Sequence, residues 1–355
     1  MKIHDTGPIV IGCAVDEAFA MPLAAMVHSA LAHLESGRAI VLHVVDCGMS
    51  AGTRNILSRS LSSSSLTVHW IRPDAARLES LPVWGRMKGA TYGRLLMGEL
   101  LPGSLQKVLW LDCDLIVLGN LADLWETDLR GTVLLAVQDL VVPYVSSRYG
   151  VAAYRELGLA PRAKHFNAGV MLVDLSKWRE TRVADRAFDY LARYNDRVWF
   201  WDQEALNACL SESWGDLDFR WNQIASVAGR PFFSPVHLET KAYRQLVDDP
   251  WIIHFAGTLK PWMMRSSPAQ KLFFEYLDQT AWKGWRPRPT PRNLIFGLYD
   301  FALRRALYRF EHWAIGMQRS IERWRQTTSD SAQSATSKSS YPAPIDDRNH
   351  KTKRT

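Results

Sequence analysis

Short apolar runs alternate with longer amphipathic ones over about the first 140 residues. Ile9–Val15, Ile40–Val45, Leu66–Ile71, Lys107–Leu111, Leu115–Leu118 and Val133–Val137 read as buried strands, and Phe19–Leu34 and Ala90–Leu100 as helices. Runs that are apolar at successive positions have both faces covered, the mark of parallel strands packed between helices. The alternation predicts an open α/β sheet, whose ligands bind at the carboxyl ends of the strands. Asp16, Asp46 and Asp112 each follow a strand directly, so chemistry is sought there first. Beyond residue 166 the pattern is less regular. Gly169–Val173 and Trp251–Ile253 predict strands, and Val183–Tyr194 and Pro268–Leu277 predict helices.

Trp282–Pro291 holds three prolines, and four basic residues lie within Lys283–Arg292, which marks a linker. The pattern therefore divides the chain into an α/β unit at 1–280, a linker at 281–291, an amphipathic helix at 292–325 and a disordered Ser/Thr-rich tail at 326–355. Wound at 100° per residue, the segment puts Ile295, Leu303, Phe310, Trp313, Met317 and Trp324 on one face and Arg304, Arg305, Arg309, Arg319 and Arg323 on the other. This is the profile of a helix lying in an anionic membrane interface. A helix packed on the body, or one joining two copies, shares the pattern, and Phe301, Tyr308 and Ile315 on the polar face fit those alternatives.

Charge sharpens this division. The 355 residues carry 43 Lys and Arg against 36 Asp and Glu, a net of +7. From Ala281 onward there are 15 basic and 6 acidic side chains, whereas residues 1–280 hold 28 and 30. The basic character belongs to an appendix, which argues against a nucleic-acid binder. Cys13, Cys47, Cys113 and Cys209 form no CxxC pair and read as reduced cytoplasmic thiols. The apolar run Ile9–Val15 is bounded by Asp5, Asp16 and Glu17, and no run reaches 18 apolar residues. The expectation is an intracellular protein with neither signal peptide nor membrane span.

Five elements carry candidate chemistry. In Lys107–Leu118, Asp112 and Asp114 interrupt an apolar stretch. Buried carboxylates require a cation, a metal or water, and hard ions such as Mg²⁺ or Mn²⁺ suit oxygen ligands. A second such triplet, Asp216-Leu-Asp218, lacks the flanking strand pattern. His254-Phe-Ala-Gly257-Thr-Leu-Lys260-Pro-Trp262 follows a strand and offers an imidazole, a permissive glycine and a phosphate-pairing lysine. Phe166-Asn167-Ala-Gly169 opens a strand. Trp201-Asp202-Gln203-Glu204 sits at a helix start, where Asp202 by default is a cap. Tyr92-Gly93-Arg94 lies on the helix before the acidic strand.

Taken in order, these elements resemble glycosyltransferase family 8, over about residues 8–265. The resemblance implies a GT-A fold, a Rossmann-like mixed sheet with flanking helices. It implies that Asp112, Asp114 and His254 bind Mn²⁺ or Mg²⁺, and that Ala14, Asp16, Arg94, Asp112, Gly257 and Lys260 contact a UDP-hexose donor. Asn167, Asp202 and Gln203 are then the residues at the reacting sugar. Ala18-Phe19 stands where relatives often have Asn-Tyr. The implied reaction is retaining transfer of galactose or glucose to a lipopolysaccharide or other surface glycan, on a lipid-linked acceptor, at the cytoplasmic face of an inner membrane touched through 292–325. Gln203 has a neutral, weakly basic amide oxygen, which favours front-face attack over a covalent intermediate. A catalytically silent sugar-nucleotide-binding protein and a self-glucosylating primer are the alternatives.

Overall fold

Ten strands form among the described residues: β1 (Ile9–Val15), β2 (Ile40–Asp46), β3 (Leu66–Ile71), β4 (Lys107–Leu111), β5 (Leu115–Val117), β6 (Leu134–Gln138), β7 (Phe166–Asp174), β8 (Trp214–Asp216), β9 (Gln223–Ile224) and β10 (Ile252–His254). The helices are α1 (Ala20–Ala32), α2 (Ala51–Ser60), α3 (Gly89–Leu95), α4 (Met97–Leu100), α5 (Leu121–Trp125), α6 (Leu175–Glu180), α7 (Val183–Tyr194), α8 (Trp201–Leu210), α9 (Thr240–Asp248) and α10 (Gln270–Leu277). The computed structural model describes residues 7–74, 89–226, 238–257, 260–263, 269–288 and 291. All lie in the first of two units, 1–298; the second is 299–355. The basic helix expected at 292–325 and the tail at 326–355 fall outside the described residues. No described helix is long and apolar enough to cross a membrane.

The main sheet has the order β3-β2-β1-β4-β7-β6-β8. β1 runs parallel to β2 and β4, β2 to β3, and β6 to β8. β7 is the exception, antiparallel to both β4 and β6. The sheet is therefore mixed, as the GT-A resemblance implies, and the parallel reading of the first 140 residues does not extend to this strand. An apolar run covered on both faces looks the same in either direction, and an antiparallel neighbour needs no crossover helix. The segment 139–165 returns the chain to the edge where β6 ended. The start of β7, Phe166-Asn167, thereby joins the carboxyl ends of β1, β2, β4 and β6 on one edge of the sheet.

A second correction concerns Asp216-Leu-Asp218. Trp214–Asp216 is a strand, three residues long and at the sheet edge. Gly215 breaks the apolar pattern there, because a Cβ at this position would lie 2.7 Å from Leu135 Cδ2. These two aspartates are answered by protein cations, Asp216 by Lys164 at 2.8 Å and Asp218 by Arg220 at 2.9 Å.

The smaller sheet, β5-β10-β9, sets the site. β10 pairs antiparallel with β5 in a register that places His254 opposite Leu115. Phe255 N continues this ladder by donating to Asp114 O at 2.9 Å. α1 covers β5 and is buried along most of its length. Its one fully buried hydroxyl, Ser29, donates to Met26 O at 2.7 Å and accepts from Val117 N at 2.9 Å. Residues 281–288, expected to begin a linker, lie on this body. Ala281 N donates to Ser60 Oγ at 3.0 Å, Trp282 packs on the core, and Arg286 pairs with Asp278 at 2.6 Å across the Phe274 ring.

The helix expected over Ala90–Leu100 is divided at Leu96 into α3 and α4. The carbonyls where α4 ends and the chain turns into β4 are collected by Arg179 of α6. Its guanidinium donates to Gly98 O at 2.8 Å, Leu105 O at 2.7 Å and Pro102 O at 3.0 Å. They span the end of α4 and the turn that follows it, where Pro102 O also accepts from Leu105 N, and a cation satisfies such carbonyls well. Replacing Arg179 by Met leaves them without that partner immediately before the acidic strand. Urea unfolding of R179M is expected to show a loss of about 2 to 3 kcal/mol.

Candidate active site

Asp112 and Asp114 lie in the turn between β4 and β5, where the chain leaves one sheet for the other. Asp112 N still donates to Gly169 O of β7 at 2.9 Å. Each carboxylate has one oxygen turned to His254 at the end of β10: His254 Nε2 lies 3.8 Å from Asp112 Oδ2 and 3.5 Å from Asp114 Oδ1. The three potential ligand atoms lie within 4.8 Å of one another. Two carboxylate oxygens and one imidazole nitrogen form a donor set that fits Mn²⁺ or Mg²⁺. Cys113 between them is no thiolate ligand. A hydrogen bond with Cys13 and burial both raise its pKa, and its Sγ lies 3.2 Å from Ala14 O, to which it donates.

The orientation of the imidazole follows from a chain of amides. Asp139 accepts from Asn167 Nδ2 at 2.9 Å, and Asn167 Oδ1 accepts from Asn222 Nδ2 at 2.9 Å. Asn222 must then present its Oδ1 to His254 Nδ1, 2.9 Å away. That assignment places the ring proton on Nδ1 and leaves the Nε2 lone pair facing the two aspartates, as a metal ligand requires. The glycine of the Phe166-Asn167-Ala-Gly169 element has a specific part in this. A Cβ on Gly169 would lie 2.3 Å from His254 Cε1, so only glycine lets the ring reach its position.

Protein cations hold the other oxygen of each carboxylate. Lys260 Nζ pairs with Asp114 Oδ2 and donates to Phe255 O at 2.7 Å. Arg94 pairs with both Asp112 and Asp202, and its buried Nε has no hydrogen-bond partner among the described residues. Burial raises the pKa of Asp114, but the Lys260 ammonium beside it pulls the other way and the group is held well below the carboxylate range. Burial alone would weaken the Arg94 guanidinium; Asp112 and Asp202 reverse this and keep it charged. At Asp202 burial wins over Arg94 and the pKa rises. Asp202 is therefore not a cap of α8. It lies in the first turn of that helix, behind Phe200 at the N-cap, and faces Arg94. Gly93 makes this approach possible, since a Cβ there would lie 2.5 Å from Ala14 Cβ.

The structure thus joins Arg94, Asp112, Asp114, Asp202, His254 and Lys260 in one ion-paired cluster. Asn167 and Gln203 meet beside it on Asp139, to which Gln203 Nε2 donates at 3.2 Å. Ala14 borders the cluster through Cys113 and Gly93. Asp16 lies at the same sheet edge, where its Oδ1 accepts from Ala18 N at 3.0 Å and Phe19 N at 3.2 Å. Gly257 takes φ +85° in the turn after β10, a conformation natural to glycine. Asp46 is committed elsewhere, to Gly48 N, Met49 N and Arg54.

Sequence reasoning missed Asp139, Asn222 and the structural part of Glu204. Asp139 directly follows β6, the same signal that singled out Asp16, Asp46 and Asp112. Asn222 belongs to a short 3-10 turn, Phe219–Asn222, with no pattern to betray it. Glu204 is fully buried and accepts from Ala152 N, Tyr190 Oη and Trp199 N, each at 2.8 Å. It ties three segments to α8 next to Gln203.

Two outcomes follow. In G169A the added methyl displaces His254, and calorimetric titration is expected to show Mn²⁺ binding weakened by roughly tenfold or more. His165, beside Asp139, is fully buried with both ring nitrogens unpartnered among the described residues. Burial lowers its pKa from 6.5 to about 4, against an opposing pull from Asp139. The unfolded chain binds this proton more readily, so stability is lost as pH falls from 6.5 towards 4. H165L is expected to flatten the pH dependence of thermal unfolding in that window.

The family model for glycosyl transferase family 8 matches residues 10–265. General stress protein A of Bacillus subtilis is 25% identical over 277 residues, 77% of this chain and 94% of that protein. The lipopolysaccharide 1,2-glucosyltransferase of Escherichia coli is 27% identical over 248 residues, covering 68% and 69% of the two chains. Among solved structures, the galactosyltransferase LgtC, crystallised with donor and acceptor sugar analogs, superposes with a TM-score of 0.65 at 26% identity, covering 77% of this chain and 96% of that one. That structural match bears out the GT-A fold. With the family model spanning every element of the site from Ala14 to Trp262, the chain belongs to glycosyl transferase family 8 and is a glycosyltransferase.

Proposed function

We propose that the protein is a metal-dependent, retaining hexosyltransferase that moves galactose or glucose from a UDP-sugar to a lipopolysaccharide or other surface glycan. The observation that carries this reading is the convergence of Asp112, Asp114 and His254 on one point, flanked by Lys260 and Arg94. Mn²⁺ or Mg²⁺ held by those three residues supplies Lewis-acid stabilisation of a diphosphate leaving group. Lys260 adds a second positive charge to the same oxygens, and Arg94 anchors the donor sugar. Ala14 and Asp16 at the end of β1 receive the nucleoside, and Gly257 gives the diphosphate close approach to the backbone.

The residues around the anomeric carbon argue for front-face attack. Gln203 Oε1 is a neutral amide oxygen already accepting from Ala168 N at 3.1 Å. Asp202 is ion-paired with Arg94. Asp139 Oδ1 accepts from Val141 N and Val142 N, and its Oδ2 from Asn167 and Gln203. A carboxylate with that many donors is a poor nucleophile. These groups instead supply oxygen dipoles that favour oxocarbenium character, and the departing phosphate takes the acceptor proton. The acceptor enters beside α8, where Trp199 and Phe200 are 60% and 43% exposed and provide flat apolar surface for a sugar ring.

The galactosyl- and glucosyltransferase relatives support the hexose assignment, and the lipopolysaccharide enzyme supports the acceptor class. The Arg-rich, Trp-bearing segment at 292–325 fits adsorption to an anionic cytoplasmic membrane surface, where a lipid-linked acceptor is reached.

The pure protein is tested by thermal shift against UDP-galactose and UDP-glucose with Mn²⁺, and by release of UDP with and without acceptor. A matching donor raises the melting temperature. D114A and H254A are expected to lower turnover roughly 100-fold or more. Full turnover in the presence of EDTA would reject the metal assignment.

A further inference from the structure

The ion-paired cluster has a charge count that constrains how it fills. Asp112, Asp114 and Asp202 contribute three negative charges, and Arg94 and Lys260 two positive ones. Arg94 bridges two carboxylates and stays balanced whichever ligand arrives. Lys260 is different, because among the described residues its ion pair is with Asp114, at a site where Asp114 and His254 are buried. A divalent cation entering on Asp112 Oδ2, Asp114 Oδ1 and His254 Nε2 meets a lysine on the other oxygen of the same carboxylate. The net charge of the cluster would change from −1 to +1 inside a weakly screened site. A sugar nucleotide carries two negative charges on its diphosphate and returns the cluster to −1.

We propose that Lys260 is an internal counter-ion that blocks tight metal binding until a nucleoside diphosphate arrives and takes the lysine from Asp114. Metal and nucleotide then bind as one unit. This rests on the metal and UDP-sugar assignments above, and adds to them a coupling that the metal's own contact with phosphate does not supply. Reciprocity requires that the nucleotide gain as much from the metal as the metal gains from the nucleotide. The site thus holds Mn²⁺ weakly in the absence of donor, and the lysine leaves Asp114 for the diphosphate when both are present.

The test is Mn²⁺ binding, followed by the electron paramagnetic resonance signal of the free ion, for the full-length wild type, K260M and K260R, each with and without saturating UDP. Wild type and K260R are expected to bind Mn²⁺ weakly alone and much more tightly with UDP. K260M is expected to bind Mn²⁺ alone about tenfold or more tighter than wild type, with a smaller gain on adding UDP. K260Q replaces K260M where circular dichroism shows that variant unfolded. Nucleotide-free Mn²⁺ affinity in the neutral variant that equals or falls below wild type overturns the proposal. Wild type that takes up no Mn²⁺ even with UDP overturns the metal assignment itself, and this inference with it.

Discussion

Everything at this site follows from the cost of burying carboxylates. Asp112 and Asp114 sit between two apolar strands, and Asp202 lies under Arg94; none can be left there without a cation. The protein answers with a guanidinium from α3 and an ammonium from the turn beyond β10, taking one oxygen each of Asp112 and Asp114. The remaining oxygens face a histidine whose lone pair is aimed by amides. The cluster is stable as it stands and still open to a divalent ion. Deleting one partner leaves a buried charge uncompensated, which is why single substitutions in it are expected to be severe.

The second constraint is register. The main sheet brings the ends of β1, β4 and β6 and the start of β7 to one edge. The small sheet then decides which residue of β10 meets the acidic turn. Because β5 and β10 pair with His254 opposite Leu115, the imidazole arrives beside Asp114, and a slip of one residue would turn it to the opposite face. The amide chain from Asp139 through Asn167 and Asn222 to His254 locks the result, so residues away from the acidic turn govern how the imidazole faces it.

Much of this was legible in the chain. The strands of the first half stand out because both faces are covered, and the acidic triplet because charges interrupt an apolar run. What could not be read was direction and partnership. β7 looks like its parallel neighbours because burial erases any difference between the two arrangements. Asp139 carries the same signal as Asp112, a place at the end of a strand, but has no motif around it. Asn222 had no signal at all, since its role exists only once β9, β10 and β7 have met. The place of Asp202 at a helix start suggests only a cap, and the resemblance alone puts it at the site; its partner lies 108 positions away on α3.

The strand order of the small sheet also bears on how the protein is made. Its central strand, β10, is the last of the three to leave the ribosome, after β5 and β9 have been exposed for more than a hundred residues and about thirty residues respectively. Until then β5 has an unpaired edge, and Asp112 and Asp114 have neither histidine nor lysine beside them. The nascent chain passes through a stage with an open strand edge beside Asp114, which still lacks its lysine, while Arg94 is already available to Asp112. The last partners of the acidic turn therefore arrive together, and a translation product ending before residue 254 contains most of the sheet but neither His254 nor Lys260.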